Sequence, residues 1–416
     1  MYKKLVLLLS ITMILVISAG SPLTILTVHT QQADLKQHVD EYFTRLAKNG
    51  FSGAVLVASE DGIILQNGYG IANDSNNSPI TANTVFDIGS ISKQFTASAV
   101  LYLEQQELVN VKDPISKYFD NVSSDKANIT IHQLLTHSAG FTKDHFDDDL
   151  TPMTKDEAVQ AIFSLPLGYQ PETKYSYSNT GYTLLAIIVE NVSGQSFTSF
   201  IHQTFFEPLG MNHTGFYNDS WVNQHVANTY WNDVDQGNPS EWQGPYWGVM
   251  GNGGVMSTVG DLYLWWQSIQ NHTVLSREQA DKLFTRHISE GSDSYYGYGW
   301  SIQDSPYGNL ITHNGGGIGG NSDFAVYTNK DLIIIICSNR ITWNTLFDII
   351  PYEIKLPASD TRQQLADNIF SNDFSKLPSP TFLLAPYLVI VALVVIAIGA
   401  GVTLIIRQRK NKRNSL

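Results

Sequence analysis

Hydrophobic residues near the two ends of the chain recur in short runs that are typical of β-strands. Near the N-terminus, residues 52–57 and 63–69 form two such runs, and the intervening Glu60-Asp61-Gly62 favours a hairpin turn. Four more runs follow in the C-terminal half, at residues 298–302, 309–312, 323–327 and 332–338. The stretch between the two groups is rich in helix formers with apolar residues at helical spacing. These patterns predict an α/β (α+β) fold in which both ends of the chain build one antiparallel sheet around a helix-rich insert.

The residues before the first predicted strand and after the last one set the expected limits of the folded region. Residues 31–49 place Leu35, Val39, Phe43 and Leu46 on one helical face, and Asn49-Gly50 is a common C-terminal cap. Residues 356–384 are predominantly polar and are expected to form a linker. The folded domain is therefore expected to span residues 33–355, and no internal repeat is evident within it.

Two longer apolar stretches are expected to interact with a membrane. Residues 385–406 contain no charged side chain and are long enough to cross a bilayer as a helix. The basic tail at residues 407–416 follows at once, which predicts a cytoplasmic C-terminus and a folded domain outside the cell. Residues 1–30 are either a signal peptide, with Ala19-Gly20-Ser21 as the cleavage region, or an uncleaved anchor. The expected location is the cell membrane, with one pass or, if the N-terminal segment is retained, two.

Composition and charge agree with a single folded domain between these stretches. Of the 416 residues, 43% are hydrophobic and only 15% are charged, which permits a substantial core. Seven of the 25 Lys and Arg residues lie at the two ends, whereas all 38 Asp and Glu residues lie between Asp34 and Asp373. This acidic excess disfavours nucleic acid and anionic lipid as partners. The single cysteine, Cys337, excludes an internal disulfide and is expected to be a buried core residue.

A candidate nucleophile occurs in Ser90-Ile91-Ser92-Lys93, where a predicted helix over residues 95–108 begins. A serine and a lysine three residues apart lie on the same face of a helix. A lysine amine with a lowered pKa can then take the proton of the serine hydroxyl and activate it. Ser123-Ser124-Asp125-Lys126 has the same spacing but is predicted to be a solvated loop. The hairpin before Ser90 and the helix after it favour the first motif, with a plain N-cap serine as the alternative.

Two other short motifs follow along the chain. Tyr177-Ser178-Asn179 precedes an apolar, helix-like run over residues 184–192. His313-Asn314-Gly315 follows the predicted strand at residues 309–312. The same triplet patterns, Tyr-x-Asn and His-x-Gly, also begin at Tyr230, Tyr327 and His213. Those copies do not combine the same order along the chain with the same neighbouring predicted elements.

In these motifs the chain resembles the serine β-lactamase and penicillin-binding-protein superfamily, in its class C-like branch. That branch also contains D-alanyl-D-alanine carboxypeptidases, D-amino-acid peptidases and esterases. The resemblance extends from about Phe51 to about Asn339. It includes further short sequence segments that follow one another in the order found in that superfamily, at residues 129–141, 208–211, 253–258 and 298–300. The resemblance implies a β-lactamase/transpeptidase-like fold.

The resemblance also implies a role for four side chains. Ser90 would be the nucleophile that becomes acylated, and Lys93 would be its general base. Tyr177 would carry protons, first from Ser90 and later to the leaving group. Asn179 would form a hydrogen bond with the amide of the substrate or with the lysine.

The third motif takes the place of the Lys-Thr-Gly that many relatives carry beside the cleft. There His313 would replace a permanent cation for substrate carboxylates, since a histidine with an ordinary pKa is mostly neutral at pH 7. Its ring could still donate a hydrogen bond or relay a proton, and simple packing at the sheet edge is the alternative. The backbone N–H groups of Ser90 and Gly316 would form the oxyanion hole, and Gly315 and Gly316 would let the substrate approach closely.

The sequence therefore predicts a membrane-anchored, extracytoplasmic serine hydrolase of the β-lactamase-related class. Its substrate would be a small molecule or peptide with an amide or ester, cleaved through an acyl-enzyme. The alternatives are a true β-lactamase and a non-catalytic penicillin- or peptidoglycan-binding sensor domain. No cofactor or metal is expected, because the acidic run at residues 144–149 has no second group of ligands and His-Glu-x-x-His is missing.

Overall fold

The computed structural model describes residues 22–341, 344–346, 350–352 and 358–375. Their strands are, in chain order, β1 Gly53–Ser59, β2 Gly62–Tyr69, β3 Ile71–Asn73, β4 Ser78–Pro79, β5 Phe86–Asp87, β6 Gly215–Phe216, β7 Thr229–Trp231, β8 Val234–Gly237, β9 Val255–Ser257, β10 Ile288–Gly291, β11 Ser294–Tyr296, β12 Ser301–Ser305, β13 Gly308–Gly316, β14 Asn321–Tyr327, β15 Leu332–Ser338, β16 Arg340–Ile341, β17 Asn344–Leu346 and β18 Ile350–Tyr352.

The helices of the same residues lie before, between and after these strands. They are α1 Pro22–Lys48, α2 Lys93–Gln105, α3 Ile131–Leu135, α4 Lys155–Ser164, α5 Asn179–Ser193, α6 Phe197–Ile201, α7 Val259–Gln270, α8 Arg277–Leu283 and α9 Ala358–Ser371. Short 3₁₀ turns cover Gly89–Ser92, Ile115–Lys117 and Pro239–Glu241, and a π-helical turn covers His202–Phe206.

The main sheet of the described residues is antiparallel and joins both ends of the domain. Its order is β10-β11-β12-β13-β14-β15-β1-β2. The N-terminal β1 pairs with the C-terminal β15, with Gly53 opposite Ser338. The prediction of one antiparallel sheet closed by both chain ends is thus confirmed. The helices α2 to α8 all belong to the insert between β2 and β10, as expected.

Both faces of this sheet are covered, which explains the unbroken apolar run of β15. Along β15, Ile334 and Ile336 pack with the outer layer, whereas Ile335 and Cys337 pack with the helical insert. Successive side chains of a strand point to opposite faces, so a strand buried on both sides is apolar at every position. Cys337 is accordingly a fully buried core residue, and burial raises the pKa of its thiol.

The outer layer consists of α1 and α9, and α9 corrects one expectation. Residues 356–384 were expected to be a linker, but Ala358–Ser371 form a helix against β14 and β15. Leu365 and Ala366 of this helix are fully buried in the outer core. Arg362 forms a buried ion pair with Asp323 of β14, with 3.0 Å between Nε and Oδ1. This helix was missed because its inward face includes polar residues whose partners are distant in sequence.

The predicted membrane segments fall largely outside the described residues. The expected helix over residues 385–406 and its basic tail lie there entirely, as does most of the predicted signal peptide or anchor. Within the described ranges, no single helix is long and apolar enough to cross a bilayer. The segments Asn179–Ser193 and Phe197–Phe206 reach that length and apolar character only when they are taken together, and the chain bends by 79° between them.

Candidate active site

The turn that carries Ser90 connects a short strand to a buried helix. Before it, β5 is fixed by pairing with β9, where Asp87 lies opposite Met256. The 3₁₀ turn Gly89–Ser92 follows, and α2 begins at Lys93. Ser90 remains partly exposed, whereas Lys93 on the next turn is 0% exposed. This placement agrees with the predicted transition from strand to helix at Ser90.

The amine of Lys93 lies among three oxygen atoms. Its Nζ is 3.0 Å from Ser90 Oγ, 2.8 Å from Asn179 Oδ1 and 2.8 Å from the backbone oxygen of Asn252. The last two are carbonyl oxygens, which accept hydrogen bonds and cannot donate them. In the neutral amine, the two N–H groups can serve these carbonyls, and the lone pair then faces Ser90 Oγ. The site therefore orients the lysine to receive a proton from the serine.

The charge state of Lys93 is set by burial. Burial lowers the pKa of Lys93 to about 7, because the interior disfavours its charged form. The carboxylates of Asp144 and Asp149 act in the opposite direction. Burial therefore favours the neutral amine near neutral pH, the form that a general base requires.

Tyr177 and Asn179 complete the surroundings of this amine. The ring of Tyr177 lies 4.8 Å from Lys93 Nζ, on the same side of the site as Ser90. The residue as a whole is 41% exposed, but its hydroxyl lies in the cleft, where burial raises its pKa. Asn179 Nδ2 donates to Asp144 Oδ2 over 3.1 Å, which turns its Oδ1 towards Lys93.

The strand β13 reaches the Ser90 turn at Gly315 and Gly316, the region where the sequence predicts the oxyanion donors. A Cβ added to Gly315 would lie 1.9 Å from the backbone oxygen of Ile88, so only glycine fits there. A Cβ added to Gly89, whose φ is +51°, would lie 2.5 Å from the backbone oxygen of Gly316. The backbone of Ile88 and Gly89, just before Ser90, is thus in direct contact with the backbone of Gly315 and Gly316. This contact leaves the two predicted N–H donors close to one another.

His313 also lies at the site, but both of its ring nitrogens have protein partners. Nδ1 is 2.6 Å from the backbone oxygen of Asn314, an acceptor, so Nδ1 carries the proton and donates. Nε2 is then the acceptor for the Tyr296 hydroxyl at 3.0 Å. The residue is 5% exposed, and burial together with the Lys93 charge lowers its pKa to about 3. The expected neutral ring is present, although it has no unused nitrogen to offer a substrate.

Several site residues were not identified from the sequence as parts of the site. One is Asn252, whose backbone oxygen accepts from Lys93 and whose side chain donates to the backbone oxygen of Gly248 over 2.7 Å. His137 also lies at the site, where its Nδ1 accepts a hydrogen bond from the Ser178 N–H over 3.1 Å. Its ring centre lies 4.4 Å from that of Tyr177. Asn252 can be recognised as a site residue only from its long-range contact with Lys93. His137, in contrast, lies within residues 129–141, a segment that already carried the family resemblance.

The second Ser-x-x-Lys motif has a different environment. Ser123 is exposed in a turn, as expected, but Lys126 is buried. Lys126 Nζ forms an ion pair with Asp125 at 2.7 Å and lies 3.5 Å from Ser123 Oγ. The nearest partner of this amine is therefore a carboxylate, whereas Lys93 lies between two carbonyl oxygens and its serine. This motif therefore lacks the arrangement found at Ser90.

The residues that the structure describes contain no group of three or more His, Cys, Asp or Glu side chains that could hold a metal ion. In the acidic run weighed as a cation site, Asp144 accepts hydrogen bonds from the side chain and backbone of Asn179. Asp144 is thus engaged in positioning the site.

Comparison with known proteins gives a consistent result. A family model described as Beta-lactamase matches residues 36–358. Penicillin-binding protein 4* of Bacillus subtilis (strain 168) is 28% identical over 332 residues, which cover 73% of this chain and 72% of that protein.

Solved structures have the same fold. The penicillin-binding protein from Bacillus halodurans has a TM-score of 0.66 and 25% identity, covering 79% of this chain and 97% of the other. The D-amino acid amidase from Ochrobactrum anthropi SV3 has a TM-score of 0.70 and 20% identity, covering 82% and 99% of the two chains. At that lower identity, the amidase supports the fold alone.

Proposed function

The chain belongs to the beta-lactamase family, and on that premise we propose that it is a serine hydrolase that cleaves an amide or ester through an acyl-enzyme on Ser90. The observation that carries this proposal is the environment of Lys93. Its buried amine has two carbonyl acceptors and one serine hydroxyl as partners, so its lone pair is directed to the nucleophile.

Acylation begins when Ser90 Oγ attacks the carbonyl carbon of the substrate. As the new C–O bond forms, the hydroxyl proton passes to Lys93 Nζ, and negative charge collects on the former carbonyl oxygen. The N–H groups of Ser90 and Gly316 stabilise that oxyanion, a contribution worth about 2.7–4 kcal/mol for one such donor. Collapse of the intermediate breaks the bond to the leaving group and leaves Ser90 as an ester.

The leaving group must receive a proton, and Tyr177 delivers it. Its raised pKa keeps the hydroxyl protonated at neutral pH, and its ring lies 4.8 Å from Lys93 Nζ, beside the reacting atoms. Tyr177 gives its proton to the departing nitrogen or oxygen and recovers one from the protonated Lys93. In deacylation, water attacks the ester carbonyl and gives up a proton to Lys93; that proton returns to Ser90 Oγ as the ester bond breaks, which releases the acid and free Ser90.

Two other functions remain as alternatives. A true β-lactamase would use the same nucleophile but would also recognise a substrate carboxylate, which the uncharged His313 does not favour. A non-catalytic penicillin- or peptidoglycan-binding sensor would need no working base. The arrangement of Lys93, Asn179 and Ser90 favours catalysis over the sensor, and the uncharged His313 favours other amides or esters over β-lactams.

The proposal is tested with two covalent probes and two substrates. A neutral fluorophosphonate reports on the nucleophile alone, whereas fluorescent penicillin also requires recognition of a carboxylate. We expect labelling by the first probe and a higher kcat/KM for a nitrophenyl ester than for a chromogenic cephalosporin. Efficient cephalosporin turnover would replace the proposal by the β-lactamase alternative. Absence of turnover of both substrates and of labelling by both probes would support the sensor domain.

The rate of acylation is expected to depend on pH with a midpoint near 7. Lys93 accepts a proton only when neutral, and its pKa is lowered to about 7, so the rate should rise with pH and level off above about 8. Below about pH 6 it should fall about tenfold per unit. The measurement is the rate constant of fluorophosphonate labelling between pH 5 and 9.

Asp144 provides a check on the direction of this shift. Its carboxylate raises the pKa of Lys93, so Asp144→Asn should move the midpoint to lower pH. A profile that stays flat from pH 5 to 9, or a midpoint that moves to higher pH in the variant, would contradict the role of Lys93.

The proposed enzyme is anchored in the cell membrane by residues 385–406, with the active site outside and the basic tail inside. The uncharged apolar stretch and the Lys and Arg residues that follow it support this arrangement. Whether the N-terminal segment is cleaved decides between one and two passes.

The expected orientation is tested with a tag placed after Leu416. Protease added to intact cells should digest the catalytic domain and leave the tag protected. Truncation after Ser379 should release active protein from the membrane fraction. A tag that is digested from outside would show that the orientation is reversed, and a truncated protein that stays in the membrane would point to the N-terminal segment as an anchor.

A further inference from the structure

A polar cavity of about 260 Å³ lies beside the candidate nucleophile. Its lining includes Tyr177, His313, Glu290, Asn314, Asp323 and Arg362. Tyr177 links the cavity to the reaction centre, because its ring also lies 4.8 Å from Lys93 Nζ. Since a water molecule in the liquid takes about 30 Å³, this space can hold the polar end of a small substrate.

Glu290 is the carboxylate of the cavity without a cationic partner. It lies on β10, and its Oε2 accepts hydrogen bonds from the hydroxyls of Ser294 and Ser301. Tyr175 lines the same cavity. No lysine, arginine or histidine of the described ranges forms an ion pair with Glu290. Two hydroxyls hold Oε2 of the carboxylate in place, and because a carboxylate has about four acceptor positions, the group can still accept hydrogen bonds from a ligand.

The other charges of the cavity do not compensate Glu290. Arg362 is already paired with the buried Asp323, so these two charges balance each other. His313 is neutral because burial and Lys93 lower its pKa to about 3. The cavity wall thus carries one excess negative charge. A substrate carboxylate placed here would be repelled, whereas a cation would be attracted and could form a charge-assisted hydrogen bond.

We propose that this cavity is a subsite for a positively charged ammonium group of the substrate, with Glu290 as the residue that binds it. The inference rests on the proposed hydrolase function and narrows its substrates to amides or esters that also carry a primary amine. An ammonium donates to the free acceptor position of Glu290 and lies along β13, close to the carbonyl that Ser90 attacks. Glu290 then determines specificity and leaves the chemistry to Ser90 and Lys93.

The test compares three substrates that differ only in charge. Alanine p-nitroanilide has a free ammonium, its N-acetyl derivative is neutral, and its N-succinyl derivative carries a carboxylate; both enantiomers are used. We measure kcat/KM, or the inhibition constant against fluorophosphonate labelling where there is no turnover. The wild type should prefer the ammonium compound of at least one enantiomer.

Glu290→Gln should remove this preference. Loss of a hydrogen bond to a charged group should lower kcat/KM for the ammonium compound about ten- to a hundredfold. The value for the N-acetyl compound should change less than about threefold. Glu278→Gln is the matched control, because the side chain of Glu278 is 80% exposed and does not line the cavity. It should leave all three values unchanged.

The possible failures can be told apart. If the wild type is not labelled by fluorophosphonate, the hydrolase function fails and the subsite falls with it. If labelling is normal but the three compounds are handled equally, or the succinyl compound is preferred, only the subsite is wrong. If Glu290→Gln weakens all three compounds to the same extent while labelling slows, Glu290 has a structural role and the proposal is overturned.

Discussion

Ser90→Ala is expected to abolish covalent labelling of the protein by fluorophosphonate and to lower kcat on the order of 10⁶-fold. An effect of that size is found when a serine hydrolase loses its nucleophile. The fold should survive, because Ser90 is partly exposed and its hydroxyl adds little to the core. The measurements are labelling, steady-state kinetics and the thermal midpoint of the purified variant.

The second Ser-x-x-Lys motif provides the matched control. Ser123→Ala makes the same change at an exposed serine whose lysine is paired with Asp125. It should leave labelling and kcat as in the wild type. Full labelling of Ser90→Ala, or mass spectrometry that locates the label on Ser123, would contradict the assignment of the nucleophile.

Arg362→Met is expected to lower the free energy of unfolding by about 3–5 kcal/mol. It leaves the carboxylate of Asp323 without a cation, and Asp323 is only 1% exposed beneath α9. Burial raises the pKa of Asp323, and Arg362 opposes that rise. Because single domains are stable by only about 5–15 kcal/mol, the loss should be plain in urea-induced unfolding.

Two further variants separate the buried charge from the lost packing. Lys117→Met breaks an exposed ion pair with Asp113 and should cost only about 0.2–1 kcal/mol. The double variant Asp323→Leu, Arg362→Met removes both buried charges and should recover part of the stability. A loss of less than 1 kcal/mol in Arg362→Met would mean that Asp323 is effectively solvated and that α9 contributes little.

Much of the sheet could be predicted from local patterns. The run Leu332–Ser338 was predicted with its observed limits, because a strand buried on both faces is apolar at every position. The position of Ser90 at the start of a helix was likewise visible, since a hairpin precedes it and helix formers follow. The strands β10 and β11 were missed, because they are short, lie at the edge of the sheet and contain several serines and glycines.

The candidate site was predictable in its motifs but less so in its partners. Ser90 and Lys93 are close in sequence, so helical spacing brings them together without knowledge of the fold. Asn252, which is 159 residues from Lys93 in sequence, accepts a hydrogen bond from it through the backbone oxygen alone. No pattern of side chains in the sequence could predict a contact of this kind. Glu290 is likewise recognisable as a candidate binding residue only through its contacts with Ser294 of β11 and Ser301 of β12. These contacts depend on tertiary packing, which local periodicity does not encode.

The pairing of β1 with β15 has a consequence for how the protein folds. Ser338 Oγ donates to the backbone oxygen of Ser52 over 2.8 Å, although the two residues are 286 positions apart. At 5–20 residues per second, the ribosome needs roughly a quarter of a minute to a minute to make the chain between them. Throughout that interval, β1 lacks its partner strand β15. The unpaired edge of the β1–β2 hairpin is therefore open to pairing with other chains. Such distant pairing also slows folding itself, so the nascent protein should depend on chaperones until its last strand has been made.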